Sequence, residues 1–279
     1  MATTVVTYQK SNVKDDYVFT RDFLDNNRIN LMHYFWTKTF GYLIHPSIPI
    51  KEILRIADVG TGTATWLLDV RDSLSENAQL DGFDISFDAA PPLETLPANV
   101  KFHTWDVKDS IPDGVFGVFD VIHLRFLSFV LMNDEIPNVI AKIFQMLKPG
   151  GYIQWEEADM ESLRFDLSRP GGKTTHLEEL FKLLLVQDPR FKPTWAENLP
   201  ELFSEAGFVD VEKDVKDAPP HLAFQFHECG LMIHELIARK TKNERMASEL
   251  QRLLPLAVEE TRNGAYGTSL RFTAIGRKP

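Results

Sequence analysis

A single cysteine, Cys229, among 279 residues leaves no partner for a disulfide within the chain and argues against a cysteine-based zinc site. Basic residues are also scarce, with 30 Lys and Arg against 40 Asp and Glu, a net charge of -10. Nucleic-acid binding needs a basic face that releases counterions from phosphate, so that deficit speaks against it. It speaks equally against an anionic membrane surface. No apolar run is long enough to span a bilayer, and Met1-Ala-Thr-Thr-Val-Val-Thr-Tyr8 lacks the basic and apolar blocks of a signal peptide. Internal repeats and low-complexity tracts are missing too. The expectation is a cytoplasmic protein with no metal, no nucleic-acid partner and no membrane association, acting on a small molecule. Nothing in the sequence speaks to oligomeric state.

What is present reads as one large α/β domain with additions, since 44% hydrophobic and 25% charged residues are ordinary for a globular chain. Residues 1–14 read as an arm, and Thr20 to Leu43 as a helix with an apolar stripe that includes Phe23, Leu31, Phe35 and Trp36. Two prolines in His45-Pro-Ser-Ile-Pro49 end it, so residues 1–50 form an arm and cap helix ahead of a main domain at 51–279. Strands then alternate with helices, as in a parallel sheet: strands at Leu54–Val59, Gln79–Asp84, Val100–Trp105, Phe119–His123 and Tyr152–Glu156, helices at Thr63–Ser73 and Asp134–Leu147. Further on, helices are expected over 173–187 and 195–206 and strands over Phe208–Lys213 and Leu270–Gly276, an antiparallel pair at the far edge of the sheet. A mostly helical insertion fills Ala223 to Glu260, so segments near 173–207 and 223–260 are candidates for a lid.

The chemistry concentrates in Ile56-Ala-Asp-Val-Gly-Thr-Gly-Thr-Ala-Thr65, a strand, a glycine turn and a helix start. Gly60, Thr61 and Gly62 let the backbone turn tightly against a ligand. Asp84 ends the next strand, where an acid can take both ribose hydroxyls. Together these point to an adenosine-containing cofactor. Thr65 stands where a dinucleotide fingerprint needs its third glycine, and the Asp58 carboxylate would repel a pyrophosphate. A sulfonium and an ammonium suit an acidic loop, so S-adenosylmethionine is the expected cofactor.

Other strand ends carry further candidates. Asp106 either accepts from the adenine amine, with Val107 and Trp105 against the base, or caps the next turn; Ile85 is a candidate floor for the adenine. His123, Arg125 and Phe126 fall at the fourth strand's end, where Arg125 pairs either with a cofactor carboxylate or with a neighbouring glutamate. Arg28, Met32 and Phe35 share one helical face, placing Arg28 to meet a methionine carboxylate, with Tyr17 adding a hydroxyl; a surface arginine beside a core stripe explains the pattern equally well. His33, offset from that face, reads as solvent-facing or capping. Trp36, Phe126, Phe129, Trp155, Phe224, Phe226, His227 and Met232 are candidates for an acceptor pocket. His227 is the first candidate for a general base, with His123 and Glu156 behind it, against the alternative of a helix that merely packs.

The ordered segments resemble the class I S-adenosylmethionine-dependent methyltransferases, specifically the fungal small-molecule group of LaeA-like proteins and gliotoxin-type thiol and amide methyltransferases. The resemblance is carried by Asn27-Arg-Ile-Asn-Leu-Met-His33, Ile44-His-Pro-Ser-Ile-Pro49, the glycine segment through Leu68, Leu80-Asp-Gly-Phe-Asp-Ile-Ser86, Val121-Ile-His-Leu-Arg125 and Leu147-Lys-Pro-Gly-Gly-Tyr-Ile-Gln-Trp-Glu-Glu157. It covers residues 15–160 well and the remainder loosely. It implies a Rossmann-like, seven-stranded, mostly parallel sheet whose last strand inserts antiparallel beside the sixth. It also implies that Gly60 and Gly62 form the cofactor loop, Asp84 the ribose acid and Asp106 the adenine acid. Ala64 departs from the group by replacing a common glycine. The acceptor implied first is a thiol, such as a reduced epidithiodiketopiperazine. A ring amide nitrogen, a hydroxyl, a LaeA-like cofactor-binding regulator that acts through partner proteins and a non-methylating rearrangement enzyme are the alternatives.

Overall fold

A computed structural model describes residues 17–185 and 188–279. The expected arm at 1–14 and the last two positions of the expected 173–187 helix lie outside them. Helix α1 (Phe23–Phe40) starts where the Asp22 carboxylate accepts from the backbone N–H groups of Leu24 and Asp25, and stops at Gly41 in a left-handed conformation. That glycine, not the later prolines, ends the helix three residues before the expected Leu43.

The central sheet follows as β1 (Arg55–Val59), α2 (Thr65–Asp72), β2 (Gln79–Asp84), β3 (Val100–Thr104), β4 (Phe119–Arg125), α3 (Ile136–Met146) and β5 (Leu147–Ala158). After a short β6 (Arg164–Leu167) come α4 (Thr175–Leu185), α5 (Leu199–Glu205), β7 (Val209–Lys216), α6 (Pro220–Lys240), α7 (Glu244–Arg262), β8 (Ala265–Thr268) and β9 (Arg271–Arg277). The strand order is β3-β2-β1-β4-β5-β9-β7. The first five strands are parallel, and β9 lies antiparallel between β5 and β7. This is the seven-stranded, Rossmann-like arrangement expected, with β9 inside the sheet and β7 at its edge.

Side-chain alternation divides the sheet into two faces. Ala57, Val59, Ile122, Leu124, Ile153 and Trp155 point into one core, under α3 and α5. Ile56, Leu80, Val121 and Ile275 point into the other, against Trp66, Leu67 and Val70 of α2. On this second face the residues toward the strands' C-terminal ends turn polar: Asp58, His123 and Arg125, then Gln154 and Glu156. Register sets Asp58 beside His123 and Arg125 beside Glu156. Sequence alternation thus builds a polar row at the edge where open α/β sheets bind ligands.

A separate helical layer joins α4, α6 and α7 around Leu177, Leu180, Leu236, Leu250 and Leu253, with Phe19 against it. The expected insertion is therefore two long helices. Two short strands escaped the sequence reading: β6 pairs antiparallel with β8 in a sheet of their own.

Candidate functional site

The glycine turn sits between β1 and α2. Gly60 has φ +74°, a conformation that favours glycine, and a Cβ there would come within 2.8 Å of Leu127 Cδ2 and displace that side chain. Gly60 N–H and Thr61 N–H both donate to Phe83 O, at 2.8 and 3.0 Å, while Gly62 N–H donates to Asp84 Oδ2 at 2.9 Å. Three successive amides of the turn are thus engaged by Phe83 O and the Asp84 carboxylate. The Asp58 carboxylate does not act as a free charge, because His123 Nδ1 meets Oδ1 at 2.7 Å and Thr61 Oγ1 donates to Oδ2 at 2.6 Å.

Asp58 is one end of a buried chain of polar groups. His123 stacks flat on Trp66 with ring centroids 3.6 Å apart, and its Nε2 lies 3.4 Å from Glu156 Oε2 as an ion pair without hydrogen-bond geometry. Arg125 Nη1 reaches the same Glu156 oxygen at 3.3 Å, and its Nη2 donates to His33 Nδ1 at 2.8 Å. With that nitrogen accepting, His33 carries its proton on Nε2, 2.9 Å from Asp69. Burial and the adjacent Arg125 hold His33 below its ordinary pKa. For His123 burial alone would lower the pKa, but Asp58 and Glu156 override it and raise it, favouring an imidazolium. Burial opposes the Glu156 charge, yet His123 and Arg125 pull its pKa down. The four central groups then balance as two anions and two cations. His33 is buried in this chain instead of facing solvent, and Arg125 takes the glutamate alternative.

Above the chain lies a cleft lined by Tyr17, Arg28, Gly60, Thr61, Gly62, Asp84, Ile85, Asp106, Val107, His123 and Phe126, which brings together every residue expected to meet a cofactor. Asp84 accepts from Gly62 N–H and Ser86 N–H, and burial raises its pKa. Asp106 Oδ1 accepts from Lys108 N–H at 2.9 Å, so the residue caps its turn and borders the cleft at once. Arg28 is buried, with Nη2 on Asp25 Oδ1 at 2.6 Å and its guanidinium over the Phe19 ring. Arg21 and Arg190 also reach the cleft and were not singled out in the sequence. Arg190 is recognisable afterwards from Asp188, which grips it at 2.7 Å. Ala64, the departure noted above, begins α2 at φ 58° and is fully buried, a left-handed position that explains the usual glycine.

A second, mostly apolar cavity adjoins the first, and Phe126 and Phe129 border both. Phe226, Cys229, Gly230 and Ile233 of α6 face it at helical spacing, with His227 and His234. Four expected pocket residues do not line it. Trp36 packs on Phe40 and Phe126 in the core. Trp155 points to the opposite sheet face from Glu156, as strand alternation requires, and donates to Glu157 Oε1. Phe224 and Met232 fall off the spacing of the cavity-facing stripe, and Phe224 sits near Tyr266 instead.

His227 borders this cavity, but both ring nitrogens are engaged. Gly267 N–H donates to Nδ1 at 3.1 Å, which puts the proton on Nε2, and Nε2 meets Thr261 Oγ1 at 2.8 Å. Burial draws its pKa down to about 4. This disagrees with the expected general base, which needs a free lone pair facing substrate. His123, the alternative, is held by two carboxylates. Cys229 is buried, and burial pushes its thiol up to about 11, in keeping with a packing role.

Comparison with known proteins bears on these cavities. Residues 56–151 match the family described as "Methyltransferase domain". The chain is similar to "Methyltransferase grgD" of a Penicillium species, 35% identical over 43% of this chain and 44% of that protein. It is 33% identical to "N-methyltransferase verN" of Clonostachys rogersoniana over 52% of this chain and 51% of that one. "Secondary metabolism regulator laeA" of Gibberella zeae is 27% identical over 71% of this chain and 63% of its own length. The chain spans about half the length of the first two relatives. Among solved structures, a Haemonchus contortus phosphoethanolamine N-methyltransferase 2 superposes with TM-score 0.51 at 17% identity, covering 93% of this chain and 60% of that one. At that identity the likeness speaks for the fold.

Proposed function

We propose that this chain is a class I S-adenosylmethionine-dependent methyltransferase of the fungal LaeA-like group, which transfers a methyl group from S-adenosylmethionine to a small hydrophobic acceptor. The observation that carries this reading is the shared wall: Phe126 and Phe129 border both the polar cleft and the apolar cavity. Asp84 with Ile85 would hold the ribose side, Asp106 with Val107 the adenine, Gly60 to Gly62 the turn, and Tyr17 with Arg28 the amino-acid end. The donor set fits an adenosine ligand without phosphates, because Gly60, Thr61 and Gly62 spend their amides inside the turn and Asp58 and Asp84 place two carboxylates beside it.

When bound, S-adenosylmethionine supplies a methyl activated by a sulfonium. The chain's own contribution is to hold the acceptor in line and keep water out, which suits an apolar cavity. His227 is tied to Gly267 and Thr261, and His123 is clamped between Asp58 and Glu156, so positioning outweighs proton abstraction for these residues. An acceptor that is already nucleophilic fits best. A thiolate remains the expectation from sequence; the relatives named N-methyltransferases favour nitrogen.

The second reading, a cofactor-binding regulator, draws on the relative named as one. Incubation with methyl-labelled S-adenosylmethionine and panels of dithiols, cyclic amides, amines and phenols separates the two. Label in any product supports the enzyme and identifies its atom class. Tight cofactor binding without transfer to any of these classes would refute the enzyme reading.

A further inference from the structure

Strand β9 begins with Arg271, whose side chain lines the second cavity and is only 6% exposed. Nη1 donates to Ser269 O at 2.8 Å, and the guanidinium carbon stands 3.7 Å over the Phe226 ring. These contacts fix the group but supply no counter-charge. Among the described residues no carboxylate lies within ion-pair distance of it, and the cavity wall contains neither Asp nor Glu. Asp217, the acid whose charge acts most strongly on it, is engaged by Arg164 at 2.8 Å. Burial draws the guanidinium down to about 10, the direction expected of an unneutralised buried cation. Thr268 Oγ1, on the same wall, is buried with no hydrogen-bond partner.

A buried cation costs stability unless something neutralises it, and a buried hydroxyl without a partner adds to that cost. Proteins keep such groups where a ligand completes them. We propose that the acceptor is a hydrophobic molecule bearing one carboxylate, which docks on Arg271 with the Thr268 hydroxyl beside it. A single cation matches a single negative charge. A neutral amide carbonyl would leave the guanidinium charge unanswered, and a phosphate dianion would exceed it. The planar guanidinium, held over the Phe226 ring, offers the fork that a carboxylate accepts. This rests on the second cavity being the acceptor site.

The test uses the full chain saturated with S-adenosylhomocysteine and titrated with matched pairs: hydrocinnamate against 3-phenylpropanamide, and 2-naphthoate against 2-naphthamide. Each acid is expected to bind at least tenfold more tightly than its amide. Arg271→Met should erase that preference and Arg271→Lys should keep part of it, with circular dichroism as the control for folding. Equal binding of acid and amide, preference for the amide, or binding of neither in the wild-type chain would overturn the proposal without needing any variant. Failure to bind S-adenosylhomocysteine would instead defeat the reading of the first cleft, and the same titrations on the unloaded chain would still decide the role of Arg271.

Discussion

Acidification should reveal what the two histidines of the apolar cavity do. His227 and His234 are 2% and 1% exposed, and burial lowers the pKa of each to about 4. The ordinary value of 6.5 belongs to the unfolded chain, so between pH 6.5 and 4 the unfolded state binds more protons than the folded one. Stability from these rings is therefore fully present above pH 6.5 and is lost as pH falls toward 4. At 1.36 kcal/mol per pH unit, each ring contributes about 3 kcal/mol at neutral pH. Glu157 works in the opposite sense. Burial pushes its carboxyl up to about 7, so its contribution is present below pH 4.5 and is lost as pH rises through 7, again about 3 kcal/mol. From pH 7.5 to 4.5 the three groups should leave a net loss of about 3 kcal/mol, one ring's worth. Urea midpoints followed by tryptophan fluorescence across that range measure it. Glu157→Gln removes the counterweight and should roughly double the acid loss, whereas His234→Leu should nearly flatten it. A Glu157→Gln chain with the wild-type slope would refute the reasoning, as would a His234→Leu chain whose acid loss equals that of the wild type.

Two other outcomes follow from the cofactor cleft. Asp84→Ala removes the acceptor of Gly62 N–H along with the proposed ribose partner, and should weaken S-adenosylhomocysteine binding by about 1–3 kcal/mol in calorimetry; unchanged affinity would mean the ribose is held elsewhere. Ala64→Gly relieves a left-handed alanine in a fully buried turn and should raise stability by about 1 kcal/mol, read as a higher Tm; a lower Tm would show that the methyl packs better than the conformation costs.

The fold was legible wherever hydrophobic period and turn chemistry agreed. Strand β2 runs from Gln79 to Asp84 as expected, because its buried run ends on the acid that faces the cleft. β6 and β8 were missed because they are four residues each and pair across about a hundred residues, with no hairpin turn to announce them. His33 was misjudged for a similar reason: its partners Asp69 and Arg125 are 36 and 92 residues away, and helical spacing alone cannot see them. Trp155 was avoidable. If Glu156 faces the ligand edge, alternation turns Trp155 into the opposite core. His227 could not have been settled from sequence, since its tautomer depends on Gly267 N–H, forty residues on. Arg271 lay hidden in the expected strand Leu270–Gly276, whose other residues are apolar or small.

The position of β9 ties maturation of the sheet to that of the second cavity. Residues 265–277 furnish the strand that slots between β5 and β7, the β8 partner of β6, and the Thr268 and Arg271 corner of the wall. Ala158 waits for Arg271 across more than a hundred intervening residues, a long loop to close. A nascent chain halted before residue 265 would carry the glycine turn and its acids in sequence yet lack both the interior strand and the Thr268–Arg271 wall. That wall is complete only once the last strand of the sheet has been synthesised.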